Sequence, residues 1–430
     1  MKRINLIGLG TGSRNFLTNE AETALSESEI VFGAKRILEI AKKVCASSFP
    51  QSEALYNAGE IFAYLQKNPQ YQKISVVFSG DLGFFSGAKS FYEIAENLAD
   101  LKIRAIPGIS SSVYFASKLH KSWQNWKFLS LHGAKCNTTE QIRKNPACFF
   151  ILSGAEDLKS VGQKIESAIK NGVLSSVKCY LGKNLSYEDE EIRELTVSEL
   201  TGSGQSQNSE SKMDLYVLLV ENENARFESK TPFLNDEDFI RVEKIPMTKK
   251  EVRSLSISAL GLSESSVLYD IGSGTGSVTV EAARIATEGQ VVAVECKEEA
   301  FFLTKKNIEK FCLENVNLIN GSAPACFESK DFPELFPRPT HVFIGGSKGN
   351  LREIVQFALQ KNPRVRITAN FVSLENLCEM QNLLKSLESE NKISDVEIAQ
   401  IAVSRAEKAG DFHLMKAQNP VYIVSFSGKA

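Results

Sequence analysis

Two kinds of hydrophobic spacing alternate along the chain. Apolar runs of strand length lie at 4–8, 30–32, 74–79, 103–106, 128–130, 148–152 and 177–181, with helical periods at 88–98, 110–119 and 160–171 between them. Such alternation predicts a sheet covered by helices. Residues 188–216 read as charged strand, loop and strand; the loop, 201–212, is rich in Gly, Ser, Gln and Asn and is expected to be mobile. The run 215–221 closes this half. Residues 222–238 are polar and acidic and sustain no apolar period, which marks a linker. Beyond them a helix at 249–260 leads into strands at 267–271, 291–295, 316–319, 341–345, 366–370, 397–403 and 421–426. Seven strands with helices between them suit one doubly wound domain of roughly 190 residues. No repeat of solenoid spacing is present. The expected organisation is therefore a domain at 1–222, a linker at 223–238 and an unlike domain at 239–430.

Composition narrows the partners. The 430 residues carry a formal net charge of -2, and Lys and Arg never run longer than a pair. A protein that holds nucleic acid by neutralising phosphates shows a basic balance or stripe, so no nucleic-acid partner is expected. Eight cysteines form no C-x-x-C pair and only four histidines exist, so no metal site is expected. Most cysteines stand in apolar surroundings, as in Ala147-Cys148-Phe149-Phe150, and read as reduced core residues. No signal-type segment and no apolar stretch of about 18 residues appears, which points to a cytoplasmic protein with no membrane partner.

Candidate chemistry concentrates at two glycine-rich strand ends. In Val267-Leu268-Tyr269-Asp270-Ile271-Gly272-Ser273-Gly274-Thr275-Gly276 an apolar strand ends in an acid and a loop with glycine at every second position. Glycines at a strand-to-helix turn let the backbone approach a ligand closely. A dinucleotide loop would need a third glycine at 277, which is Ser277, and no Gly-Lys-Ser/Thr phosphate loop follows. Glu295 ends the next strand, where an acid accepts hydrogen bonds from both ribose hydroxyls. Asp270 is set to orient the loop amides or meet a ligand amine. An adenosyl ligand without pyrophosphate, such as S-adenosylmethionine, fits this set.

The first half repeats the theme less strongly. Gly8-Leu9-Gly10-Thr11-Gly12, Gly80-Asp81-Leu82-Gly83 and Pro107-Gly108-Ile109-Ser110-Ser111 each follow a strand and present glycine, acid or hydroxyl groups at its end.

From Pro246-Met247-Thr248-Lys249, through Asp270 to Val278, Gly321-Ser322-Ala323-Pro324 and Val342-Phe343-Ile344-Gly345-Gly346-Ser347, the second half resembles the decarboxylating precorrin-6B methyltransferases of cobalamin biosynthesis. The resemblance implies a Rossmann-like class I methyltransferase fold. It carries S-adenosylmethionine contacts onto Thr248, Gly272, Ser273, Gly274, Thr275, Gly276, Glu295 and Ala323, and approach of the tetrapyrrole onto Gly345 and Gly346. Ser322 departs from it, standing where the family has Asp. The first half, with Phe128-Leu129-Ser130-Leu131-His132-Gly133, resembles the carbon-5 precorrin enzymes of the two-lobed tetrapyrrole methylase fold. That resemblance implies cofactor contacts at Gly8, Gly10, Gly80, Asp81, Leu82, Pro107, Gly108, Ser110 and Ser111, with departures at Thr11 and Leu82, where proline is usual.

Together the two resemblances imply methylation of one tetrapyrrole substrate at carbons 5 and 15 with loss of the ring-C acetate carboxylate. The second family is typically a homo-oligomer. His132, Lys348 and Arg352 are candidates for catalysis or for holding substrate carboxylates, against a plain turn residue and a solvated helix start. Two rival readings stand: a methyltransferase for RNA or another small substrate, and a non-catalytic tetrapyrrole carrier.

Overall fold

A computed structural model describes residues 2–45, 49–95, 101–131, 136–202, 214–226, 233–327 and 337–430. The chain divides into two compact units, one of residues 1–133, 146–162 and 177–221, the other of 134–145, 163–176 and 222–430. The helix Thr138–Lys144 thus belongs to the second unit although it lies within the first half of the sequence.

The first unit contains two sheets. Strands β1 (Lys2–Gly8), β2 (Ile30–Phe32), β3 (Gln51–Glu53), β4 (Lys73–Phe78) and β5 (Leu101–Ile106) form an all-parallel sheet in the order β3-β2-β4-β1-β5. Helices cover both faces: Ile4, Leu6, Phe32 and Val76 are buried on one side, Ile7, Val31, Val77 and Ile106 on the other. Burial on both sides explains why these strands read as continuous apolar runs. Strands β6 (Lys127–Ser130), β7 (Ala147–Leu152), β8 (Lys178–Lys183), β9 (Glu191–Leu195) and β10 (Tyr216–Glu221) form the second sheet, order β6-β7-β10-β8-β9, antiparallel except for β6 beside β7. Phe84, from the loop after β4, packs edge-on against Phe128 of this sheet with ring centroids 5.2 Å apart.

The second unit is built on β11 (Val267–Ile271), β12 (Gln290–Glu295), β13 (Val316–Asn320), β14 (His341–Ile344), β15 (Arg366–Phe371), β16 (Ile393–Ile401), β17 (Ser404–Ala409), β18 (Phe412–Ala417) and β19 (Val421–Gly428). Seven of them form one doubly wound sheet, order β13-β12-β11-β14-β15-β19-β16, with β19 inserted antiparallel between β15 and β16. From β11 the chain steps outward through β12 to β13, then returns to β14 on the other side of β11. That reversal opens a crevice at the carboxyl ends of β11 and β14, where sheets of this kind bind ligands.

Several elements escaped the hydrophobic pattern. β3 is Gln-Ser-Glu, with no apolar run to betray it, and β18 carries Phe412, Leu414 and Met415 although every one of its residues is exposed. The helix Val197–Gly202 lies within the stretch read as strand, loop, strand. A reciprocal Thr196–Glu199 capping box starts it: each residue's side chain accepts from the other's amide, at 3.3 and 2.7 Å. The expected loop 201–212 falls, from 203 onward, outside the described residues, as do 227–232 of the expected linker. Of the eight cysteines, Cys45, Cys148 and Cys179 are buried, Cys378 is exposed, and the other four are half-buried. No helix among the described residues is long and apolar enough to cross a membrane.

Candidate functional site

The loop after β11 owes its shape to alternate glycines. Gly272, Gly274 and Gly276 have φ of +77°, +58° and +76°, the left-handed region that side-chain-bearing residues avoid. The spacing seen in the sequence is therefore a backbone requirement. The helix Ser277–Ile285 starts at Gly276. Loop carbonyls are tied back to the helix Glu298–Lys310: Thr304 Oγ1 donates to the carbonyl of Gly274 at 2.9 Å, and Asn307 Nδ2 to that of Thr275 at 2.8 Å. Thr304 and Asn307 went unnoticed in the sequence because their partners are backbone atoms about thirty residues away.

A cavity of about 590 Å³ lies beside this loop. Thr248, Asp270, Gly272, Ser273, Gly274, Glu295, Gly345, Gly346 and Lys348 line it. Lys244, Ile245, Pro246 and Cys296 join them without having been expected. Thr275 and Gly276 shape the loop without lining the cavity. Ala323 stands apart: it is buried, lines a small apolar void beside Tyr269 and Phe327, and precedes a cis Pro324. Ser322 is exposed. Arg352 is exposed on the helix Leu351–Lys361, outside the cavity lining, and its charge acts on Glu390. His132 lies outside the described residues.

Three polar groups define the chemistry. Glu295 is clamped by backbone amides: Oε2 accepts from Gly274 at 2.9 Å, and Oε1 from Cys296 and Lys297 at 2.9 Å each. Oε1 also receives the Cys296 thiol at 3.4 Å, so of the roughly two acceptor positions on each carboxylate oxygen the one left for a further donor is on Oε2. Asp270 is wholly buried, and burial pushes its carboxyl up to about 7, with the nearby charge of Glu295 acting in the same direction. Its Oδ2 accepts from the Thr279 hydroxyl, while Oδ1 has no hydrogen-bond partner. A buried oxygen without a donor costs about 1–3 kcal/mol, and an arriving cation or N–H would relieve it. Lys348, with φ of +50°, brings its ammonium to the Cys296 thiol, whose hydrogen bond raises the lysine's pKa.

Thr248 is held by Arg253, which is fully buried. Arg253 donates to the Thr248 carbonyl at 2.8 Å, to Asp236 at 3.2 Å, to Glu281 at 3.3 Å and to the Leu234 carbonyl at 2.5 Å. One arginine thereby secures the segment that roofs the cavity. The facing wall is equally constrained: a Cβ on Gly272 would lie 2.9 Å from both the nitrogen and the oxygen of Gly346, whereas one on Gly346 would meet nothing within 4 Å.

In the first unit the three glycine loops meet backbone to backbone. Gly10 and Gly80 exchange hydrogen bonds of 3.1 and 2.8 Å. A Cβ on Gly108 would stand 2.4 Å from the Gly80 oxygen and 2.6 Å from both the Gly10 nitrogen and the Gly8 oxygen. Asp81 accepts from the Gly83 amide at 2.8 Å and from the Gly108 amide at 3.4 Å, joining two of the loops. Ser110 caps the helix Ser111–Lys118, and Pro107 is exposed at its approach. Leu82 is partly buried and packs against the core cluster that includes Ile4 and Leu6, and the Thr11 hydroxyl is buried without a partner. A polar cavity of about 510 Å³ in this unit opens near Arg3, Lys73 and Arg104, and none of the glycine-loop residues line it.

Comparison with known proteins finds relatives of both halves of the chain. The family described as precorrin methyltransferase domain matches residues 242–427, and the family of tetrapyrrole (corrin/porphyrin) methylases matches residues 3–201. The probable cobalt-precorrin-6B C(15)-methyltransferase (decarboxylating) of Pyrobaculum calidifontis is 41% identical over 197 residues, which are 45% of this chain and 95% of that protein. Its counterpart in Methanocaldococcus jannaschii is 34% identical over 189 residues, 44% of this chain and 94% of the relative. Among solved structures, precorrin-6y C5,15-methyltransferase from Geobacter metallireducens is 31% identical, covers 46% of this chain and 97% of its own, and superposes with a TM-score of 0.41.

Proposed function

The chain belongs to the precorrin methyltransferase family through residues 242–427, and on that premise we propose that it methylates a precorrin at carbon 15 with loss of an acetate carboxylate and, through its first unit, at carbon 5. Residues 1–222 and 239–430 are the two proposed catalytic domains, acting on one substrate in cobalamin biosynthesis. One observation carries the reading of the second unit: Asp270, whose buried Oδ1 has no partner, lines one cavity together with the glycine loop, Glu295 and Gly346.

S-adenosylmethionine suits that set of groups. Glu295 Oε2 has an acceptor position left for a ribose hydroxyl, Asp270 offers an oxygen to the ammonium group, and Gly272, Ser273 and Gly274 present the loop backbone. When bound, S-adenosylmethionine supplies an electrophilic methyl group. The chain's own contribution is positional. Arg253 and Thr248 hold the roof, Thr304 and Asn307 hold the loop, and Gly345 and Gly346 keep the facing wall free of side chains. A precorrin carbon in an enamine-like π-system is already nucleophilic, so alignment supplies most of the acceleration. Decarboxylation draws on the conjugated macrocycle as electron sink.

The test is incubation of the full chain with precorrin-6B, or its cobalt form, and S-adenosylmethionine, followed by mass spectrometry. Gain of two methyl groups with loss of one carbon dioxide supports the reading. An unchanged substrate mass sinks it.

A further inference from the structure

A second cavity of the same unit, about 650 Å³, adjoins the first, and Pro246, Thr248 and Gly345 line both. Its walls include Met247, Val252, Val372, Val403 and Val421. Val372 is 61% exposed, an apolar surface that a flat hydrophobic ligand would cover. Around this apolar part stand Arg241, Lys249, Arg405 and Lys416. Two of these cations are already neutralised: Arg405 lies 2.6 Å from Glu251 and 3.3 Å from Asp236, and Lys416 lies 3.2 Å from Glu407. Arg241 and Lys249 have no ion-pair partner among the described residues, so their charge is free for a ligand.

Apolar walls with uncompensated cations at the rim suit a conjugated ring whose edge bears carboxylates. Guanidinium and ammonium groups bind carboxylates through charge-assisted hydrogen bonds, while the ring face needs only apolar contact. We propose that this cavity is the tetrapyrrole site of the second unit, with Arg241 and Lys249 receiving the substrate's carboxylates. The ring then reaches the cofactor cavity across Thr248 and Gly345. Gly345 is well suited to that border, since a Cβ there would press to 3.1 Å from the Gly272 carbonyl. The assignment rests on the methyltransferase reading above, and it gives the anion-receiving role to Arg241 and Lys249 in place of Arg352, which lines neither cavity.

The full chain, saturated with S-adenosylhomocysteine, is titrated with uroporphyrin, a tetrapyrrole polycarboxylate, and with its fully esterified form, by calorimetry and porphyrin fluorescence. For Arg241→Gln/Lys249→Gln, affinity at one class of porphyrin site should fall about a hundredfold, since each charged hydrogen bond is worth about a factor of ten or more. S-adenosylhomocysteine affinity and melting temperature should stay unchanged. Val372→Asp, at an exposed position, should weaken the same site by charge repulsion. Unaltered porphyrin affinity in both variants, or equal affinity for acid and ester, would overturn the assignment. Failure of the wild-type chain to bind S-adenosylhomocysteine would instead sink the methyltransferase reading.

Discussion

Asp270→Asn isolates a charge that the fold buries at a cost. The folded carboxyl titrates at about 7 rather than 3.8, because burial penalises its ionised form. With the folded value raised, the protonated group favours folding at low pH, and that contribution is lost as pH rises through 7. A shift of this size corresponds to about 4 kcal/mol between pH 4 and pH 8. Asparagine removes the titration but puts an amide N–H where Oδ1 has no partner, a penalty of about 1–3 kcal/mol. The first effect wins at high pH and the second at low pH. Without ligand, the variant should be more stable than wild type by about 1–3 kcal/mol at pH 8 and less stable by a similar amount at pH 4. At about 2–4 °C per kcal/mol for a unit of this size, melting curves should cross between those limits.

His341 sharpens the expectation. Burial, helped by the charge of Arg366, lowers its imidazole from 6.5 to about 4. That stability is present above 6.5 and is lost as pH falls through 4, the opposite slope over nearly the same window. Discounted for partial exposure it is worth about 2 kcal/mol. With about 4 kcal/mol lost through Asp270 and about 2 kcal/mol gained through His341, the wild-type stability should fall by about 2 kcal/mol between pH 4 and 8, and the variant's should rise by a similar amount. Thermal denaturation of both proteins, measured every half pH unit, checks this. Parallel profiles would refute the reasoning.

Four other outcomes are expected. Gly346→Val, whose Cβ meets nothing within 4 Å, should leave the melting temperature within about 2 °C of wild type yet reduce cofactor binding by calorimetry at least tenfold. Arg253→Met removes the buried guanidinium that Asp236 and Glu281 share and leaves them only Arg405 at 3.3 Å and Arg284 at 3.7 Å, which should cost about 3 kcal/mol and lower the melting temperature by roughly 10 °C; a drop below about 2 °C would mean the network contributes little. Gly108→Ala must part three loops packed at 2.4–2.6 Å, so carbon-5 methylation should vanish while carbon-15 methylation and decarboxylation continue, as read by product mass. Glu295→Gln keeps the shape but turns an NH₂ toward either the Gly274 amide or the Cys296 and Lys297 amides; cofactor affinity should fall about tenfold to a hundredfold, with little change if the clamp is irrelevant.

The sheet of the second unit was legible because its strands are buried apolar runs at regular intervals; all seven expected strands lie in it. The loop was legible for a similar reason, since each alternate glycine answers a left-handed φ that few other residues tolerate. Arg253 was not. A fully buried arginine looks in sequence like any helix-surface cation, and its four partners come from residues 234, 236, 248 and 281. Lys348 and Arg352 looked equivalent, four residues apart, until the backbone turned one into the cavity and the other onto an exposed helix face. The hairpin of β17 and β18 was not among the expected strands, yet it contributes Arg405 and Lys416 to the second cavity.

The clamp on Glu295 has a kinetic side. Three amides fix that carboxylate before any ligand arrives, so a ribose would meet it with little reorganisation. The ribose is the same in the methyl donor and in its demethylated remnant, and nothing in the clamp senses the difference. Spent donor should therefore be retained nearly as firmly as fresh donor and act as a competitive inhibitor. Flux through the second unit would then follow the cellular ratio of the two forms, a metabolic sensitivity written into one glutamate and three backbone N–H groups.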